Sequence, residues 1–166
     1  MFSAGDQVVY PLYGAALVQA VEHRALDGSS RDYYDLQLLL SHMTVSLPVA
    51  NVEAVGLRPL SSPQQLEQVK AVLQQAPAKL SYKDVAWNKR QQLYMQLLKQ
   101  GDLEQVAHLY RLFKFLEAGK RLSVGEKRLL NITKTIMVSE IMLILQLTKE
   151  ETEAWLEQQL QPLQVG

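Results

Sequence analysis

Two hydrophobic periods divide the chain. Over residues 1–59 the apolar positions fall in short β-prone runs: QVVY (7–10), GAALVQAVEHRAL (14–26) and RDYYDLQLLL (31–40). DGSS (27–30) lies between the last two, and its Asp-Gly pair favours a tight hairpin turn. In MTVSLP (43–48), Met43, Val45 and Leu47 alternate with Thr44 and Ser46, giving a strand two distinct faces. Pro48 ends this strand or confines it to an edge. A last short strand is expected within EAVGLRPL (53–60). Gly5 and Gly14 bracket the first strand and suit its tight entry and exit. The pattern predicts a small, strongly bent antiparallel sheet of the half-open barrel kind.

From residue 62 the period becomes helical. In SSPQQLEQVKAVLQQ, Ser62 is an N-cap and Pro63 sits at the first helical position. APAKL (76–80) breaks the chain, Ser81 caps a second helix that contains Trp87, and Gly101 ends it. Asp102 caps a third helix ending at Gly119. Ser123 with Glu126, and Thr148 with Glu151, form capping boxes for a fourth and a fifth, the last stopped by Pro162. The fourth helix is apolar nearly all round (Leu129, Leu130, Ile132, Ile136, Met137, Ile141, Ile144, Leu145), so it is expected at the centre of a bundle. The fold class is α+β, with a β-rich domain at 1–59 and a helical domain at 60–166.

Composition narrows the function. The chain is 48% hydrophobic and 20% charged, in the globular range. It has no cysteine, which excludes disulfides and thiol chemistry. No signal peptide opens it, and the apolar stretch 129–147 is interrupted by Asn131, Lys134, Ser139 and Glu140, so a cytoplasmic protein without membrane contact is expected. The net charge of zero conceals a pattern: residues 80–147 carry eleven basic and six acidic side chains, while both flanks are acidic. Such a field attracts polyanions, or it is an ordinary solvated helical surface. His23, His42 and His108 are isolated, and no phosphate-binding glycine loop or nucleophile elbow occurs. KEETE (149–153) reads as an acidic first helical turn. No enzyme and no cofactor are expected.

Trp87, one of two tryptophans, leaves two readings open. On a helical wheel it shares an arc with Tyr94, Leu97 and Leu98, as a core residue would. Lys83 and Arg90 project into that same arc, and a buried stripe does not hold two unpaired cations. The first turns of this helix would then extend past the core, leaving Trp87 exposed at the edge of the bundle beside Lys89 and Arg90, suited to stacking against bases.

Four segments resemble the CarD/CdnL family of bacterial transcription regulators, in order over residues 2–145: GDQVVYPLYGAALV, AWNKR, GDLEQVAHLYRL and LSVGEKRLL. The resemblance implies an N-terminal Tudor-like domain that binds the β subunit of RNA polymerase. It also implies a helical domain that binds promoter DNA at the upstream edge of the −10 region, largely without sequence preference, and stabilises the open complex. Carried over by position, Trp87 is the wedge in the minor groove, Lys89 and Arg90 follow it, and Lys127 and Arg128 reach phosphate. Arg24 faces the polymerase, as does the edge strand with Thr44, Val45 and Ser46. Two positions depart from the family pattern: Ser46 and Gln92 stand where basic residues are usual, which weakens polymerase and DNA contacts. The related transcription-repair coupling factor carries a helicase motor that has no counterpart here, so its role is not expected. The protein is expected to act as a monomer, at the nucleoid through polymerase. The rival expectation is a polymerase adaptor with no direct DNA contact.

Overall fold

In the computed structural model, residues 1–75 and 86–160 are described. The expected caps at Ser81 and the stop at Pro162 lie outside them. Strands β1 (Gln7–Tyr10), β2 (Gly14–Leu26), β3 (Ser29–Leu38), β4 (Thr44–Pro48) and β5 (Arg58–Pro59) form one sheet in the order β4-β3-β2-β1-β5, every pair antiparallel. The β2–β3 turn is Asp27–Gly28, with φ of 50° and 79°. Positive φ at both central residues gives the turn whose twist matches that of the strands, and it sets Leu26 opposite Ser29. A bulge between Val18 and Ala20 bends β2. Val8, Ala16, Val18, Tyr34, Leu36, Leu38, Leu47 and Leu57 form the sheet's apolar face.

The segment expected to hold only a last strand contains a helix as well. A 3-10 turn (Val49–Asn51) runs into α1 (Val52–Val55), and only Arg58–Pro59 is strand. Val49, Val52 and Val55 stand three apart, so helical winding turns all three onto the sheet core, and Gly56 closes the helix at φ 78°.

Five further helices follow: α2 (Pro63–Gln74), α3 (Trp87–Gln100), α4 (Leu103–Ala118), α5 (Val124–Leu145) and α6 (Lys149–Leu160). Ser62, Asp102 and Ser123 cap three of them through side-chain bonds, and Thr148 and Glu151 exchange bonds at the start of α6. Gly101 and Gly119 end helices as expected, by different means. Gly101 is left-handed at φ 73°, whereas Gly119 is at φ −85° and Lys120, at φ 54°, makes the reversal. Leu73, Leu98, Phe113, Met137, Ile141 and Leu156 are among the residues of the helical core. Among the described residues no single helix is long and apolar enough to cross a membrane.

Helix α5 also meets the sheet. Ser139 Oγ accepts from the Ala15 N–H at 2.8 Å and donates to the Ile136 carbonyl at 3.0 Å. Glu140, 0% exposed, receives both guanidinium ends of Arg58 at 2.7 and 2.9 Å and the Ser61 N–H at 2.7 Å. Arg58 Nε donates to the Gly101 carbonyl, which ties β5 to the end of α3 as well.

Candidate functional site

Helix α3 starts at Trp87 behind Ala86, which supplies no side-chain cap bond, and its first turn has no acidic residue. Trp87 is half-buried and packs on the helical core. The ring expected to stand clear of the bundle is therefore docked on one side and open on the other. Its six-membered ring lies over Gly125, in the first turn of α5. The Arg90 guanidinium is 5.3 Å from the ring centroid, within cation–π range. Arg90 is half-buried, and its Nε meets no hydrogen-bond partner among the described residues. Lys89 and Gln92 are exposed.

The contact with Gly125 brings Trp87 to the helix that bears the second basic pair. Ser123 and Glu126 close the capping box there, each bond 3.2 Å, and Lys127 and Arg128 follow, both exposed. The α4–α5 turn adds Lys120 and Arg121, which sequence reasoning missed. Lys120 and Lys127 line one recess of about 290 Å³ with Glu117 and Leu122. Arg121 lies 5.7 Å over the Phe115 ring. Val124, next to Gly125, is 79% exposed. A signal existed: AGKRLSVGEKRLL repeats Lys-Arg at 120–121 and 127–128, with the cap between. A partly exposed indole under Arg90, beside a helix start that presents exposed cations, suits a backbone of phosphates with bases beside it.

A second cluster lies on the sheet. Arg24, on β2, meets Asp35 of β3 at 2.8 Å and Glu22 at 3.0 Å, and sits 4.9 Å over the Tyr33 ring. Ser46, on β4 opposite Asp35 in register, donates its hydroxyl to the same carboxylate at 2.8 Å. The Ser46 hydroxyl, with help from Arg24 and against the effect of burial, holds the Asp35 carboxyl below the usual aspartate range. Hydrogen bonding to Glu22 leads the causes that raise Arg24. Strand β4 is an edge of the sheet, with Thr44 exposed and Val45 half-buried against the sheet core. His23, expected to be isolated, meets Asp32 at 2.7 Å across the β2–β3 pair.

Residues 68–157 match the CarD C-terminal domain, and residues 2–61 match the CarD-like/TRCF RID domain. The chain belongs to the CarD family. It is similar to the putative transcription factor YdeB of Bacillus subtilis, 24% identical over 155 residues that span 93% of this chain and 99% of that one. Among solved structures, the 72-residue N-terminal domain of Myxococcus xanthus CarD is 27% identical, with a TM-score of 0.31, over 36% of this chain and 79% of that chain. In this CarD-family protein the Arg24–Asp35–Ser46 cluster falls within the RID match. Trp87, Lys89, Arg90, Lys120, Lys127 and Arg128 fall within the C-terminal match.

Proposed function

We propose that this CarD-family protein regulates transcription by joining RNA polymerase to promoter DNA. Residues 1–59 bind the β subunit, and residues 60–166 bind DNA at the upstream edge of the −10 bubble and stabilise the open complex. The protein acts as a monomer. Arg24 contributes at the polymerase surface together with the outer edge of β4, where Thr44, Val45 and Ser46 offer backbone groups to a partner strand. Once held there, the helical lobe acts at high effective concentration, so weak contacts without sequence preference suffice. Trp87 wedges at the junction of duplex and melted DNA. Lys89, Lys127 and Arg128 hold flanking phosphates, with Lys120 alongside, and Arg90 braces the ring.

The observation that carries this reading is a partly exposed indole that bears Arg90 on one side and rests on the first turn of α5, the helix whose next residues are the exposed Lys127 and Arg128. One feature favours the rival reading of an adaptor without DNA contact: Trp87 packs on the core. The two separate in one pair of measurements on Trp87→Ala. A wedge loses open-complex lifetime by about 5- to 150-fold, the value of one stacked base. Its melting temperature falls by less than a fully buried tryptophan would cost, since the ring is partly exposed. A core tryptophan leaves the lifetime unchanged and loses about 3–5 kcal/mol of folding stability.

A further inference from the structure

Gly125 lies directly against the Trp87 ring. A methyl group built on Gly125 would overlap Cζ2 of Trp87 and come within 3.1 and 3.2 Å of Cη2 and Cε2. Among the described residues, no other glycine of the helical lobe has an aromatic ring against its Cα. Backbone conformation does not require glycine here, because residue 125 is in the first turn of an α-helix, where alanine is the better former. The missing side chain leaves a flat bed on α5, and the ring rests on it. Arg90 bounds the ring as well, its guanidinium 5.3 Å from the centroid, and the buried, unpartnered Nε reports how closely that side chain is packed against its surroundings.

We infer that Gly125 is a positioning residue: it seats Trp87, so that the free protein already holds the ring in one pose, anchored to the turn that presents Lys127 and Arg128. The inference rests on the wedge reading for its functional consequence, and on the packing alone for its structural content. Holding the ring beforehand removes part of the ordering cost of engaging DNA. It also fixes the spacing between the ring and Arg128, because Gly125 and Arg128 stand three apart on α5 and so share a face. An aromatic wedge on a loose side chain would have neither property.

The test is Gly125→Ala in the full chain. In a Trp155→Phe background, which isolates the Trp87 signal, the alanine should displace the ring, giving red-shifted emission and stronger acrylamide quenching. Unchanged emission and quenching would overturn the seat. With purified polymerase, Gly125→Ala should shorten open-complex lifetime at least about threefold, part of what a whole stacked base carries. That loss should vanish in a Trp87→Ala background, because a seat with no ring has nothing to position. Equal losses with and without the ring would overturn the positioning role. If Trp87→Ala itself leaves the lifetime unchanged, the wedge reading fails, and the fluorescence result still decides the seat. Should Gly125→Ala fail to fold, Gly125→Ala with Trp87→Phe decides instead. Phenylalanine lacks the outer ring carbons that the methyl group meets, so folding should return; failure to return overturns the seat.

Discussion

Asp35 stands where three strands converge: Arg24 reaches it from β2 and Ser46 from β4. A carboxylate held below its ordinary titration range favours the folded state above the unfolded-state value, near pH 4, and that contribution is lost as pH falls through the lower folded value. The Ser46 hydroxyl is the leading cause, so Ser46→Ala should raise the Asp35 midpoint in a carboxyl-carbon NMR titration. A midpoint that does not move would assign the whole effect to Arg24. Under the proposed function the same triad lies at the polymerase surface. Arg24 is engaged by two carboxylates, and serine in place of a second cation leaves this surface less positive than the family pattern. At the other site, Lys120 and Lys127 line one recess and should act alike. Each alanine substitution should flatten the log–log salt dependence of DNA binding by about 0.9 per phosphate contact, with equal effect across sequences. An unchanged slope for Lys127→Ala would return that pair to a solvated helix surface.

At the scale of elements, helix ends organise the site. The cap at Ser123 fixes where α5 begins, and hence where Gly125, Lys127 and Arg128 point. Ser123→Ala should cost about 0.5–2 kcal/mol in chemical denaturation, by orphaning the Glu126 N–H. Gly101 and Gly119 look equivalent in sequence, each closing a helix. Their backbones differ, and so should their substitutions. Alanine at 101 must adopt φ 73° and would come within 3.1 Å of Pro11 Cγ. The left-handed backbone alone costs about 1–2 kcal/mol. Alanine at 119 keeps an ordinary φ and meets only the flexible Arg121 side chain, so its midpoint in urea should shift little. Similar losses at both positions would refute the distinction. The hydrophobic pattern named the helices, and the dihedral angles decide which glycine is required.

For the whole molecule, the decisive contact joins the lobes. Glu140 is fully buried and answers Arg58 and the Ser61 N–H together, while Ser139 answers the Ala15 N–H. Under the proposed function, a wedge needs the distance and angle between the two lobes to be kept, and this contact ties the lobes together. Glu140→Ala removes one partner of a buried pair and leaves Arg58 and the Ser61 N–H without their acceptor. It should cost about 3–5 kcal/mol in equilibrium unfolding. A loss below about 1 kcal/mol, the range of a surface pair, would show that the lobes are joined mainly by apolar packing.

Much of this architecture follows from neighbours in the chain. Alternation along 43–47, Asp-Gly at 27–28, and a cap three residues ahead of its glutamate or glutamine are local, because their hydrogen bonds and dihedral angles close within a few residues. The family motifs were legible for the same reason: they are short strings. Tertiary structure alone decided what the polar interruptions of α5 are for. Ser139 and Glu140 look like flaws in an apolar helix until residues 124 and 82 positions away arrive to satisfy them. It alone made Ser46 a partner of Arg24 through Asp35, and it alone laid Trp87 on Gly125. Periodicity records which side of a helix meets the core. It carries no record of which distant polar atom or ring will be there, because that choice is made by packing and by the cost of leaving a buried polar group unpaired.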